Sequence, residues 1–259
     1  MPNFSIEVSP ADDLIDVPRR IIVRGAHPGE PVRISSSTLR NGAEWRSTAC
    51  YIADAYGHVD VSMNPAIDGD YYGIDPMGLL WSQKPVQAGR RDNFHADVMA
   101  PLVTTLTVSS LDQPGLAPCA PASTELVQRL AAAGVTRREV REEGLVGTLF
   151  LPATPGPHPA VMILNGSGGG INEPRAALFA SRGVAAFALA YFKAPGLSDY
   201  ISNTPLEYFE RGLDWLRAEV KPLHDFVAIS GQSRGGELVL LLGATFPQKV
   251  SAVLAYVPS

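Results

Sequence analysis

The sequence predicts an all-β domain followed by an α/β domain. Short alternating apolar segments, separated by Gly, Pro, Asp and Asn, fill the first half of the chain, which is typical of antiparallel strands. Continuous apolar segments alternate with helical patterns in the second half, which is typical of a parallel sheet. A proline-rich linker at residues 113–121 separates the two patterns. We therefore expect domains at residues 1–118 and 119–259.

Length and composition describe a globular protein with room for two cores. The 259 residues are 46% hydrophobic and 18% charged, which excludes a disordered chain. The formal net charge is −5 and neither half is basic, so no nucleic-acid partner is expected. No segment approaches the roughly 18 apolar residues of a membrane span, and the N-terminus lacks the apolar centre of a signal peptide. With only two cysteines, Cys50 and Cys119, we expect reduced thiols in a cytoplasmic protein.

Four segments of the first half have the pattern of short strands. They are residues 20–25, 31–35, 45–53 and 102–108. Strands at this spacing predict a β-sandwich of the immunoglobulin-like type. An aromatic and glycine-rich stretch at residues 70–81 indicates either a packed loop or a surface for a neighbouring domain.

No pattern in the first half predicts a metal or a catalytic site. The histidines of this half lack metal-ligand spacing, and positions in turns explain them. They are His27, His58 and His95. The acidic cluster Asp68, Asp70 and Asp75 is interrupted by aromatic residues and lacks the regular spacing of a calcium loop. We expect no metal and no cofactor.

Helices and strands alternate through the second half. The expected helices are residues 123–133, 174–181, 206–219 and 236–245. The expected strands are a hairpin at residues 135–142 and 144–151, followed by residues 159–164, 184–190, 226–229 and 250–257.

This half is organised around a Gly-x-Ser-x-Gly motif formed by Gly231, Ser233 and Gly235. A buried strand precedes the motif and a helix follows it, which together predict the nucleophile elbow of an α/β-hydrolase. Ser233 must then occupy a strained turn that raises its hydroxyl above the sheet. A side chain at either glycine would collide with the neighbouring chain. We therefore predict that Ser233 is a nucleophile.

A glycine-rich segment at residues 165–170 follows the strand at 159–164. It lacks the Lys-Ser/Thr ending of a phosphate loop and the acidic partner of a dinucleotide fold. Its position suits an oxyanion hole, in which backbone N–H groups bind the developing negative charge. We predict donors at Ser167, Gly168 and Gly169, with the N–H of Arg234 as the other donor.

Several motifs, in the same order along the chain, carry a resemblance to a known family. Residues 72–81 resemble a Tyr-x-Gly-x-x-Pro-Met-Gly-Leu-Leu-Trp stretch of that family. Further matches are residues 147–152, 168–169, 172–176, 189–192 and 206–209. The chain resembles the type I acyl-CoA thioesterase and bile-acid-CoA:amino-acid N-acyltransferase family. The resemblance implies a β-sandwich joined to an α/β-hydrolase domain, and cleavage of an acyl-CoA substrate through an acyl-enzyme.

The residue at the nucleophile position distinguishes branches of this family. Members that transfer bile acids to glycine or taurine typically have Cys there, while many thioesterases have Ser, so Ser233 favours hydrolysis. Transfer to an amino acid is the alternative reaction. A non-catalytic acyl-CoA-binding protein is a third reading. The elbow alone also fits a carboxylesterase or a dienelactone-hydrolase-like enzyme, against which the sandwich half argues.

A catalytic base is missing where the fold predicts one. The expected order is Ser, then an acid, then His, but residues 234–259 contain no His or Asp, and Glu237 lies too close to the nucleophile. His224 and Asp225 lie at the start of the nucleophile strand, away from the active-site edge. The resemblance implies two further strands that carry the acid and the His. We therefore expect a C-terminally truncated, inactive chain with an uncovered apolar sheet edge.

Overall fold

The computed structural model describes residues 3–89, 97–111 and 117–258, and the chain divides into two compact units, Met1–Arg129 and Leu130–Ser259. The described part of the first unit contains, in order, β1 (Ser5–Ser9), β2 (Asp12–Leu14), β3 (Arg20–Arg24), β4 (Pro31–Arg40), β5 (Ala43–Ile52), β6 (Val59–Asp60), β7 (Asp68–Gly69), α1 (Gly78–Trp81), β8 (Lys84–Pro85), β9 (Leu102–Ser110) and β10 (Ala122–Arg129).

These strands form two sheets that share one core. One sheet has the order β1-β3-β6, and the other has the order β2-β10-β9-β4-β5-β7, with β8 paired to β5. All pairs are antiparallel except β2 with β10, which are parallel. Buried side chains of both sheets pack together, among them Ile21 and Val23 from one and Ile34 and Leu106 from the other. The first unit is therefore a β-sandwich.

The helix predicted at residues 123–133 is wrong, because this segment forms β10. Leu126 and Gln128 are buried on alternate positions, which is the period of a strand. The strand pairs with β9 on one side and β2 on the other, and these distant partners override the local helical spacing. β10 thus belongs to the first unit. The linker prediction at residues 113–121 falls partly outside the described residues.

The aromatic stretch at residues 70–81 is a packed loop that ends in α1. Tyr71 and Leu79 are buried in the sandwich core, and the hydroxyl of Tyr71 is hydrogen-bonded to that of Tyr51. The exposed Trp81 ring donates its N–H to the Asp75 carboxylate at 2.9 Å. The family-like motif therefore contributes core residues to the first unit.

The second unit contains, in order, β11 (Thr136–Val140), β12 (Val146–Leu151), β13 (Ala160–Leu164), α2 (Glu173–Ala180), β14 (Ala185–Ala190), α3 (Leu206–Val220), a 3₁₀ turn (Leu223–Asp225), β15 (Val227–Gln232), α4 (Arg234–Thr245) and β16 (Ala252–Tyr256). Apart from residues 123–133, each helix and strand predicted for this half is present within a few residues of its expected bounds. The predicted hairpin is the antiparallel pair β11–β12.

The six strands form one sheet in the order β11-β12-β14-β13-β15-β16. β14, β13, β15 and β16 are parallel, as the continuous apolar segments predicted. Side chains of α3 and α4 pack with Met162 and Leu164 on one face, and the intervening Val161 and Ile163 are also buried. A mostly parallel sheet with helices and a sharp strand-to-helix turn after β15 is the α/β-hydrolase arrangement.

β16 pairs only with β15 within the described chain, so it forms an edge of the sheet. Its Val253 and Tyr256 side chains are 39% and 45% exposed. Within the described ranges, no helix has both the length and the apolar character needed to cross a bilayer.

Candidate active site

Ser233 occupies the turn between β15 and α4 with φ 52° and ψ −125°, a conformation that L-residues rarely adopt. A Cβ atom added at Gly231 would overlap the carbonyl oxygen of Gly235. A Cβ atom added at Gly235 would lie 2.5 Å from the carbonyl oxygen of Asn165. The collisions expected from the motif are therefore present, and they explain why glycine flanks the serine on both sides.

The backbone of Ser233 is fixed while its hydroxyl is left available. Its N–H donates to the Tyr256 carbonyl at 3.0 Å, and its carbonyl accepts from the Glu237 N–H at 3.1 Å. Ser233 precedes the first residue of α4, yet its side chain makes no capping hydrogen bond. Within the described residues the hydroxyl has no hydrogen-bond partner. This arrangement fixes the backbone of the serine and leaves its hydroxyl free to react.

The glycine-rich segment lies directly against the elbow. A Cβ atom added at Gly166 would lie 3.3 Å from the Cβ of Ser233. The Gly169 N–H donates to the Gly166 carbonyl at 3.0 Å, and the Asn165 side-chain amide donates to the Gly169 carbonyl at 2.6 Å. These bonds shape the loop and occupy the Gly169 donor.

Three backbone N–H groups of the elbow and the glycine-rich segment have no partner among the described residues: those of Ser167, Gly168 and Arg234. Arg234 is the first residue of α4, where helix geometry leaves N–H groups unpaired. The partial positive charge of a helix N-terminus adds to the attraction for an anion there. Three of the four predicted donors are thus free, and the fourth is engaged in the loop.

Arg175 is a site residue that the sequence reasoning did not assign. It lies in the first turn of α2, which Asn172 caps by accepting from its N–H. One guanidinium nitrogen donates to the side-chain oxygen of Gln232 at 2.7 Å, and the guanidinium stacks over the Tyr256 ring at 4.6 Å. Arg175 therefore contacts two residues that adjoin the Ser233 backbone: Gln232, which precedes Ser233, and Tyr256, whose carbonyl accepts the Ser233 N–H. Its position in the family-like motif at residues 172–176 was the one sequence feature that could have indicated a role for Arg175 in the site.

A pocket of about 600 Å³ lies beside the elbow, since Arg234 and Glu237 of α4 line it. These two side chains form an ion pair at 2.8 Å. The remaining walls are largely apolar and include Tyr191, Leu206, Phe209, Leu238 and Leu241. The volume is within the range of small-molecule sites.

Tyr191 connects the pocket to the glycine-rich segment. Its hydroxyl donates to the Asn165 carbonyl at 2.9 Å. Burial raises the pKa of Tyr191 to about 12, because the charged phenolate is disfavoured away from water. The phenol is therefore a stable donor at neutral pH.

None of the described histidines hydrogen-bonds Ser233. His158 and His224 precede β13 and β15, whereas Ser233 follows the other end of β15, so a strand length on the order of 20 Å separates them. The side chain of His158 is bonded to the Thr154 carbonyl. His27 and His58 belong to the first unit. His95 lies outside the described residues. The pair His224–Asp225 is thus at the end of the sheet predicted for it.

Two family models match the chain. The model for the acyl-CoA thioester hydrolase/BAAT N-terminal region covers residues 16–142. The model for the BAAT/acyl-CoA thioester hydrolase C-terminal region covers residues 204–259. The second match includes the elbow, and the first includes the aromatic stretch that carried the resemblance.

Individual relatives agree with these models. Acyl-coenzyme A thioesterase 1 of Mus musculus is 38% identical over 242 residues, which are 92% of this chain and 57% of that protein. Acyl-coenzyme A thioesterase 2, mitochondrial, of Homo sapiens is 38% identical over 245 residues, which are 92% of this chain and 49% of that protein. The chain spans about half the length of the curated relatives it matches. Because one relative is named mitochondrial, the cytoplasmic location stays a prediction.

Proposed function

The chain belongs to the acyl-CoA thioester hydrolase/BAAT family, and from this premise we propose that Ser233 cleaves the thioester of an acyl-CoA. The observation that carries the proposal is the strained Ser233 backbone with an unoccupied hydroxyl. In the first step the hydroxyl oxygen attacks the thioester carbonyl and loses its proton to a base. The tetrahedral oxyanion then collapses, CoA leaves as the thiol, and water later hydrolyses the Ser233 ester to the free acid.

The oxyanion would be bound by backbone N–H groups. The free donors of Ser167, Gly168 and Arg234 support this role, whereas the bond of the Gly169 N–H to the Gly166 carbonyl argues against that donor. A donor of this kind stabilises a transition state by about 3–4 kcal/mol.

The pocket beside the elbow would receive the acyl chain. Its apolar walls favour methylene groups, which gain about 0.8 kcal/mol each on burial. In the first unit, two packed sheets of mostly antiparallel strands support the finer proposal that the sandwich is immunoglobulin-like.

Among the described residues, no base contacts the Ser233 hydroxyl. Without an imidazole at Ser233, the hydroxyl is a weak nucleophile at neutral pH. We therefore expect these 259 residues to be acylated slowly and to show no multiple turnover. An external base should restore part of the rate, because the elbow and the oxyanion donors are already in place.

The test is thiol release from decanoyl-CoA by the 259-residue chain, with intact mass spectrometry for the acyl adduct. Ser233→Ala is the matched control, since it keeps the Cβ atom and removes only the nucleophile. Imidazole is then added to both proteins, and the variant corrects for hydrolysis by imidazole in solution. Glycine or taurine in a parallel reaction reports transfer to an amine.

We expect at most one equivalent of thiol without imidazole, an adduct on the wild-type chain alone, and an imidazole-dependent rate that Ser233→Ala abolishes. Multiple turnover without imidazole that depends on Ser233 would show that the chain contains its own base and would overturn that part of the proposal. Identical behaviour of both proteins under every condition would refute hydrolysis through Ser233. Formation of N-acylglycine or N-acyltaurine would favour the transferase reading.

A further inference from the structure

Three side chains with metal-ligating atoms converge in the first unit, far along the chain from the elbow. They are His27, Glu30 and Cys119. One ligand atom from each residue lies within 4.8 Å of the other two. The Cys119 sulfur lies 3.7 Å from a carboxylate oxygen of Glu30.

A tight turn and two hydrogen bonds bring these residues together. His27 and Glu30 flank a Pro-Gly pair in which Gly29 has φ +73°, which is the pattern of a type II turn. The Glu30 N–H donates to the His27 carbonyl at 3.0 Å, which closes the turn. The Cys119 N–H donates to the Ser110 hydroxyl at 3.0 Å, and that hydroxyl donates to Glu30 at 2.7 Å.

The carboxylate of Glu30 is buried without a compensating cation. Glu30 is 2% exposed, and none of the described Lys, Arg or His side chains forms an ion pair with it. Its oxygens accept hydrogen bonds from the Ser110 hydroxyl, the backbone N–H of His27 and the Cys119 thiol, which are neutral groups. Burying an unpaired carboxylate is costly, and proteins pair such charges or use them to bind metals.

The His27 imidazole and the Cys119 thiol beside Glu30 also lack strong hydrogen-bond partners. The Nε2 atom of His27 is buried and has no hydrogen-bond partner. The Cys119 sulfur lies 3.4 Å from the Gly25 carbonyl oxygen and 3.7 Å from the Glu30 carboxylate, both of which are weak partners for a thiol. A cation at this point would satisfy the carboxylate and the imidazole and would favour the thiolate.

We propose that His27, Glu30 and Cys119 form a zinc site. Imidazole, carboxylate and thiolate are the three ligand types that Zn²⁺ accepts, with bonds of about 2.0–2.3 Å. Those bond lengths at tetrahedral angles separate two ligand atoms by about 3.5 Å, close to the 3.7 Å between the Cys119 sulfur and Glu30. The fourth position is left for water.

Zinc binding at this site conserves protons and leaves no net charge on the ion and its ligands. Zn²⁺ replaces the proton of the Cys119 thiol, which is released to solvent, and the thiolate and carboxylate together neutralise the ion. The hydrogen bonds from the Ser110 hydroxyl and the backbone N–H of His27 hold the Glu30 carboxylate in a fixed orientation, as outer partners of metal ligands do. The proposal is independent of the reaction at Ser233.

The experiment titrates the full 259-residue chain, after chelator treatment, with Zn²⁺ and separately with Co²⁺. Bound zinc is counted after dialysis, and the cobalt complex is examined for a near-ultraviolet thiolate-to-metal charge-transfer band. Cys119→Ser and His27→Ala remove ligands. Cys50→Ser and His58→Ala are matched controls, because they alter a second buried cysteine and a second turn histidine of the same unit.

We expect one zinc per chain and a thiolate band with cobalt, while both controls bind as the wild type does. Removing either ligand should reduce the affinity by more than the roughly 10–100-fold that follows loss of an outer hydrogen-bond partner. Absence of stoichiometric zinc or of the thiolate band in the wild-type chain would overturn the proposal, whether or not the variants fold. Equal binding by the Cys119 variant and its control would also overturn it. Circular dichroism of each variant separates loss of a ligand from loss of the fold.

Discussion

Replacing Ser233 by glycine should stabilise the second unit even though it removes the nucleophile. Ser233 holds φ 52° and ψ −125°, where a Cβ atom is strained and glycine is not. Ser233→Ala keeps the Cβ atom and therefore the strain. Because the serine hydroxyl has no hydrogen-bond partner in the described chain, the alanine variant should have nearly the stability of the wild type.

The magnitude follows from two opposing terms. Strain of a non-glycine residue in such a region costs about 1–3 kcal/mol. Glycine destabilises the folded state by about 0.5–1 kcal/mol relative to alanine, because it gives the unfolded chain more conformational freedom. Taking the middle of both ranges, the free energy of unfolding of Ser233→Gly should exceed that of Ser233→Ala by about 1 kcal/mol. With an m-value of about 2 kcal/mol/M, a gain of about 1 kcal/mol raises the urea midpoint by about 0.5 M.

Urea unfolding followed by circular dichroism at 222 nm measures this difference. Among the described residues, the long helices α2, α3 and α4 all belong to the second unit, so the helical signal reports that unit. Equal midpoints for Ser233→Gly and Ser233→Ala would refute the claim that the elbow stores backbone strain. A midpoint for Ser233→Ala well below the wild type would show instead that the hydroxyl makes a stabilising contact.

Two further predictions concern the residues around the elbow. Gly235→Ala should lower the free energy of unfolding by about 2–3 kcal/mol, because its Cβ atom would lie 2.5 Å from the Asn165 carbonyl oxygen. The control in thermal melts is Gly168→Ala, whose Cβ atom would meet nothing within 4 Å. Similar losses of stability in both variants would contradict the steric reason. Tyr191→Phe should cost about 1 kcal/mol at pH 8 through the lost hydrogen bond to Asn165. Since the pKa of Tyr191 is raised to about 12 from the ordinary value near 10, its contribution is full below pH 10 and is lost as the pH rises towards 12. The urea midpoints of wild type and Tyr191→Phe should therefore converge between about pH 10 and 12, and a constant gap would count against this assignment.

The second unit could be predicted from sequence because its structure is encoded locally. β13, β14 and β15 are continuous apolar runs, each flanked by a helix with recognisable ends. A five-residue motif predicted the strand, turn and helix of the elbow, although distant residues also fix it: Asn165 approaches Gly235, and the Tyr256 carbonyl accepts the Ser233 N–H. The donor role of Gly169 could not be judged in the same way, because its N–H is occupied by a loop turn that the sequence does not specify.

Features of the first unit that depend on distant residues escaped prediction. Leu126 and Leu130 have helical spacing, but pairing with β9 and β2 makes the segment a strand. The cluster of His27, Glu30 and Cys119 was missed for the same reason. His27 and Glu30 are joined by a Pro-Gly turn that is visible in the sequence, whereas nothing in the spacing places Cys119 beside them.

The parallel pairing of β2 with β10 has a consequence for folding during synthesis. Asp12 and Arg129 are hydrogen-bonded although they are 117 positions apart, and β10 lies between β2 and β9 in the sheet. A ribosome must therefore deliver Arg129 before β2, the first strand of this sheet, finds its partner, and closing so long a loop slows folding. Until then β9 is an edge strand of the nascent chain with one side unpaired, to which a chaperone could bind.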